Sequence, residues 1–231
     1  MAVWETCRAI GYKNVVCSPW ILYAYCVATV AELWFKADAL AFEVTFFLAV
    51  FAAMTAGIVS KKVRGAGALA TLGVLAYPVV PFIIVCKLAL MDSNVWIPVF
   101  AIACISTWVC DSFALFGGML FGKHKVAPAV SPNKTIEGCL CGGVSSVLTG
   151  MLVCWLSKFY APLPMWLCVI TALVASTMGQ IGDLAESLMK RMIGVKDFSN
   201  LIPGHGGMFD RADSLLFAIP TAYLCLRLAG L

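Results

Sequence analysis

Charge is what this sequence has least of. Only 12% of its 231 residues are Asp, Glu, Lys or Arg, against about 25% in soluble domains. That scarcity, with 62% hydrophobic residues and a mean hydropathy of +0.95, excludes an ordinary water-soluble domain. Metal-binding cysteine pairs are missing too. Cys139 and Cys141 form a C-x-C, but no second Cys/His pair at zinc spacing accompanies it. Seven of the eleven cysteines (Cys26, Cys86, Cys104, Cys110, Cys154, Cys168 and Cys225) fall inside apolar runs, where free Cys behaves as a small hydrophobe. No internal repeat is visible, which argues against a transporter built from duplicated halves. No clear signal peptide is expected, because Glu5, Arg8 and Lys13 precede a first apolar run long enough to span and stay.

What is present is a series of long apolar segments. A spanning helix needs about 20 mostly apolar residues. Seven runs qualify, at roughly 15–35, 40–59, 66–90, 95–121, 136–156, 163–182 and 210–230. Pro78 and Pro81 are expected to bend the third. The sequence therefore predicts an all-α, polytopic membrane protein with about seven transmembrane helices and a polar site facing the cytoplasm. It reads as one integral membrane domain, 1–231. Residues 1–95 supply N-terminal spans and 96–231 carry the polar motifs.

The basic residues indicate orientation. Arg8, Lys13, Lys61, Lys62, Arg64, Lys123, Lys125, Lys134, Lys190, Arg191, Lys196 and Arg211 fall in one set of loops. Lys36, Lys87, Lys158 and Arg227 fall in the other. The positive-inside rule then puts the 122–135 and 183–209 loops in the cytoplasm.

The remaining charges are concentrated. Asp111 sits inside the fourth run, where an acid costs about 2.5–3.5 kcal/mol on insertion scales and normally faces a cavity. Gly117, Gly122 and Lys123 have the spacing of a phosphate loop. His124 then stands where a Ser or Thr is needed and no strand precedes, so these glycines read as packing or helix-ending positions. The segment SPNKTIEG, 131–138, opens the fifth span. Its free N–H groups, with Lys134 beside them, suit an anion or simply an ordinary capped helix start.

Asp183, Ser187 and Lys190 are spaced i, i+4, i+7, which puts them on one helix face. Glu186 lies beside them; the plainer alternative is a solvated helix with Glu186–Lys190 as a surface pair. The S-x-x-K at Ser187 lacks the S-D-N and K-T-G partners of penicillin-binding enzymes. Then comes PGHGGMFDRAD. Gly204, Gly206 and Gly207 allow a close backbone approach and an anion-binding nest. Asp210 and Asp213, at i and i+3, are expected to face the same way at the start of the last span. Together with Asp183 they suit Mg²⁺, a hard cation that takes carboxylates and substrate phosphates. Lys190, Arg191, Lys196, His205 and Arg211 suit polyphosphate.

The run S-x-x-K-R-x-x-x-x-K-D-x-S-x-x-I-P-x-H-G-G-x-x-D-R-x-D, Ser187–Asp213, closely resembles the C-terminal signature of CDP-diacylglycerol synthases, the phosphatidate cytidylyltransferases. Upstream, Asp111-Ser-Phe-Ala with Phe121-Gly-Lys, then Ser131-Pro-Asn-Lys-Thr-Ile-Glu-Gly, resemble two further motifs of that family in the right order. The resemblance covers about 105–220. Ala212 departs from it, standing where a larger apolar residue or Thr is usual. The chain also looks short for the family, as though one or two N-terminal spans were missing.

The resemblance implies transfer of the cytidylyl group of CTP to phosphatidate, giving CDP-diacylglycerol and pyrophosphate. It implies Mg²⁺, with K⁺ as a second cation, a homodimer, no nucleic acid, and a bacterial inner membrane. On it, Asp183, Lys190, Asp210 and Asp213 are the catalytic candidates, with Asp183 and Asp210 on the metal. Asp111, Lys134, Ser187, Arg191, Lys196, Asp197, His205, Gly206, Gly207 and Arg211 would hold substrate. Two alternatives stay open: a related CTP-dependent enzyme acting on a polyprenyl or ether lipid, and an ion-coupled transporter using Asp111. A CDP-alcohol phosphotransferase would need a D-G-x-x-A-R run that is absent.

Overall fold

The computed structural model of the chain describes residues 1–157, 163–199 and 207–230. His205 and Gly206, with Gly204, lie outside the described residues. Every expected apolar run contains a helix. In order, these are α2 Pro19–Trp34, α3 Ala39–Val59, α4 Arg64–Val74 continued by α5 Val80–Ala89, α6 Ser93–Phe121, α7 Ile136–Ser157, α8 Met165–Ile193 and α9 Leu215–Leu228. Five segments among the described residues are long and apolar enough to cross a membrane: Ala39–Val59, Arg64–Ala89, Ser93–Phe121, Ile136–Ser157 and Met165–Ile193. The first and last runs yield shorter helices of 16 and 14 residues.

Two features lie outside the expected apolar runs, and the second departs from the all-helical expectation. A ten-residue helix, α1 (Ala2–Gly11), precedes the first run. An antiparallel hairpin, β1 (Lys125–Ala127) with β2 (Ser131–Thr135), joins α6 to α7. Pro132 is tolerated in β2 because an edge strand can spare an N–H donor.

The chain forms two compact units. The first comprises Met1–Ile83 and Met192–Arg211, the second Ile84–Arg191 and Ala212–Leu231. The core of the first unit gathers Leu22, Tyr25, Ala49, Val74 and Leu75. Thr71 ties α4 to the start of α2, accepting the Ser18 N–H at 2.9 Å and donating to the Gly67 carbonyl at 2.7 Å. The expected bend falls at Leu75–Val79, where Tyr77 leaves helical geometry beside Pro78. Pro81 sits in the first turn of α5, where its missing N–H has no intrahelical partner to lose.

The first unit is also held by a buried acid that the apolar pattern does not reveal. Glu5 of α1 is fully buried. Its Oε1 accepts the Ser199 hydroxyl at 2.6 Å and the Met208 N–H at 3.0 Å, and its Oε2 accepts the Phe209 N–H at 2.9 Å. Phe209 packs on Phe198 and Tyr77, with ring centroids 4.8 and 5.3 Å away.

In the second unit, α6 and α7 pack on small residues. With lipid on the outside, apolar burial drives helix association weakly, so close backbone approach and dispersion carry it. A Cβ built on Gly142 would lie 2.7 Å from both the Cys110 carbonyl and its Sγ. One built on Gly117 would lie 2.6 Å from the Cys141 side chain. Gly142→Ala is therefore expected to force the helices apart and destabilise the protein by about 1–3 kcal/mol. A thermal melt in detergent measures this, and an unchanged midpoint would show that the contact is slack.

Candidate active site

Three elements of the second unit converge on a cavity of about 650 Å³. Asp111 comes from α6, Lys134 from β2 and Asp183 from α8, and Asp213 precedes α9; Lys125 of β1, Cys139 and Gln180 also line it. Each position has a local cause. Thr135 caps α7, its Oγ1 accepting the Gly138 N–H at 3.2 Å, and so fixes Lys134 at the helix entrance. Glu137 holds the preceding turn, accepting the Lys123 and His124 N–H groups at 3.1 and 3.2 Å and pairing with His124 Nδ1 at 2.6 Å. Gly182 lets Asp213 approach α8, since a Cβ there would lie 2.8 Å from the Asp213 carbonyl.

Lys134 Nζ lies 2.6 Å from Asp183 Oδ2 and donates to the Gln180 carbonyl at 3.3 Å. Asp183, Glu186 and Asp213 each offer a carboxylate oxygen, and these lie within 4.8 Å of one another. Glu186 is fully buried and pairs with Lys190, its Oε2 2.6 Å from Nζ. The Ser187 hydroxyl reaches Asp183 Oδ1 at 3.5 Å. Asp213 Oδ1 accepts the Ser214 N–H at 2.6 Å. Burial holds the Asp213 carboxyl above the usual carboxylate range, the Ser214 N–H opposes this and the charge of Asp183 reinforces it.

Four acids, Asp111, Asp183, Glu186 and Asp213, stand against three lysines, Lys125, Lys134 and Lys190. The acids outnumber the lysines by one, and the acid donors are all hard oxygens. That set fits a divalent cation of the Mg²⁺ kind, whose ligands are carboxylates, water and phosphate.

The structure thus brings Asp111, Lys134, Asp183 and Asp213 onto one cavity, with Ser187 and Lys190 on the same helix. Arg191 points elsewhere, its Nε donating to the Val130 carbonyl at 3.5 Å. The expectation that Asp210 and Asp213 share a helix face is corrected. Phe209–Arg211 is a 3₁₀ turn and α9 begins only at Leu215. The Asp210 oxygens instead accept the Phe198 N–H at 3.1 Å and the Gly207 N–H at 2.8 Å. Lys196 and Asp197 line a separate cavity in the first unit, about 540 Å³, with Arg8 and Trp4. Arg211 ends the 3₁₀ turn of that unit. Glu186 is the residue the spacing undervalued. It forms the expected pair with Lys190, but in the interior. An acid three residues after Asp183 on an apolar helix was the available signal.

These features define a multi-pass membrane protein whose helices enclose a carboxylate–lysine cavity suited to a cation and phosphate. The chain belongs to the cytidylyltransferase family, whose model matches residues 1–229. It is 41% identical over 124 residues to the phosphatidate cytidylyltransferase of Staphylococcus haemolyticus (strain JCSC1435), covering 54% of this chain and 47% of that protein. It is 42% identical over 126 residues to the phosphatidate cytidylyltransferase of Bacillus subtilis (strain 168), covering 54% of this chain and 46% of that one. The chain spans about half the length of the curated relatives it matches.

Proposed function

We propose that this protein transfers the cytidylyl group of CTP to phosphatidate, forming CDP-diacylglycerol and releasing pyrophosphate. The observation that carries the reading is a cavity lined by Asp111, Asp183, Asp213, Lys125 and Lys134, with the Glu186–Lys190 pair beside it, in a chain of this family. A phosphate oxygen of phosphatidate attacks the α-phosphorus of CTP. The bond from that phosphorus to the bridging oxygen breaks, and pyrophosphate leaves with the electron pair. The nucleophile is already ionised, so the chain need supply no strong base. Its work is positioning and charge neutralisation.

Asp183, Glu186 and Asp213 would hold the divalent cation, which when bound neutralises phosphate oxygens. The sequence expectation of Asp183 with Asp210 stands beside this set; the Asp210 carboxylate is oriented by the Phe198 and Gly207 N–H groups. Lys134 orients one phosphate group at the mouth of α7. Lys190 supplies the positive partner of the buried Glu186. Asp111 closes the cavity on the α6 side. The excess of basic residues in the 122–135 and 183–209 loops supports a cytoplasmic mouth, where CTP is found. Dimerisation and a K⁺ ion beside the divalent cation belong to the same reading.

The test is pyrophosphate release from CTP by the purified protein. Release is expected to require both phosphatidate and Mg²⁺ and to stop on addition of EDTA. Release at the same rate without phosphatidate, or only with an isoprenoid alcohol or an ether lipid, would overturn the assigned substrate.

A further inference from the structure

A second, apolar groove of about 620 Å³ runs along the outside of α7 and α8 in the same unit as the polar cavity. Leu140, Val144 and Val147 supply one wall, and Leu173, Ile181 and Leu184 the other. The two helices run antiparallel there. Gly143 stands against Leu173, and Gly150, further along α7, stands against Cys168 and Ala172. From Ile136 to Val147 the groove extends for roughly 16 Å at a rise of 1.5 Å per residue. Its one hydroxyl wall residue is not a polar interruption, because Thr177 donates to the Leu173 carbonyl at 2.7 Å.

Cys139 and Gln180 line both the groove and the polar cavity. The apolar groove therefore meets the carboxylate–lysine site at these two residues. A molecule that fills both has an anionic head and a long hydrocarbon chain.

We propose that the α7–α8 groove binds an acyl chain of the lipid substrate while its phosphate sits by Lys134, and that Gly143 sets how much chain the groove accepts. This rests on the reaction proposed above. Gly143 forms the floor. A Cβ added there meets only the Leu173 Cδ1, at 3.7 Å, an ordinary contact. A small side chain fits, and a large one fills the groove. Its neighbour Gly142 faces α6 instead and is closed to any side chain.

The experiment compares Gly143→Ala and Gly143→Phe on dioleoyl and dihexanoyl phosphatidate in detergent micelles. Gly143→Ala, whose Cβ meets only Leu173 Cδ1 at 3.7 Å, shifts the ratio of the two KM values less than Gly143→Phe does and is at least as stable, since Ala favours a helix more than Gly. Gly143→Phe raises KM for the dioleoyl lipid about tenfold relative to the dihexanoyl lipid, roughly what losing the burial of two methylenes gives, with kcat on the short lipid retained. An unchanged KM ratio, or an equal loss on both lipids, overturns the proposal. Mass spectrometry of dioleoyl phosphatidate retained by the purified protein separates the two readings. Retention by wild type and loss in Gly143→Phe, without turnover of any phosphatidate, would remove the reaction and keep the groove. Turnover with an unchanged ratio would remove the groove and keep the reaction.

Discussion

Asp183→Asn is expected to lower turnover by about 10²–10³-fold, the scale on which losing one preorganised electrostatic contact at a reacting centre costs an enzyme. The substitution keeps shape and removes one negative charge. Asp183 serves two neighbours: Lys134, 2.6 Å from Oδ2, and the group it forms with Glu186 and Asp213. An amide in its place offers the ammonium no counter-charge, and it leaves the cation site with two acids. Both the maximal rate and the Mg²⁺ concentration for half-saturation should respond, the first falling and the second rising. Pyrophosphate release measured across a Mg²⁺ titration reads both. Near-normal turnover at every Mg²⁺ concentration would end the assignment of Asp183 to the cation.

Glu5→Ala should have the largest effect on stability. It strands three donors at once: the Ser199 hydroxyl and the N–H groups of Met208 and Phe209. A buried donor without a partner costs about 1–3 kcal/mol. Water entering the new space will recover part of that, so a loss near 3 kcal/mol is expected. For a chain of this size that corresponds to a fall of roughly 6–12 °C in melting temperature. Glu5→Gln should fall between the two, because one carboxamide oxygen can still accept while the NH₂ faces a donor. Melting within a degree of wild type for Glu5→Ala would show that other contacts hold Ser199, Met208 and Phe209 in place.

These two acids mark where the sequence was legible and where it was not. Helix positions were legible because the bilayer requires long apolar runs, and each of the seven runs contains a helix. Asp111 and Asp183 stood out as charges in apolar surroundings, and the structure sets both on one cavity with Lys134. Glu5 could not stand out. Its partners lie 194 to 204 residues away, and no local period encodes a bond of that span. Glu186 was visible, but i, i+4 spacing to Lys190 is the same for a surface pair and a buried one. Asp210 and Asp213 share a spacing that suggests a common face. The chain breaks it with a 3₁₀ turn before α9, and spacing alone does not report where a helix starts. The β1–β2 hairpin was hidden by its brevity and by Pro132, which speaks against a strand.

The shared wall of Cys139 and Gln180 has a consequence for how products part. On the proposed reaction, one product is a water-soluble polyanion and the other a two-tailed amphiphile. A chamber with an aqueous mouth and a hydrocarbon flank is an interface between two solvents, and each product dissolves in only one of them. Partition would then clear the site in two directions, and neither product would have to retrace the route of the other.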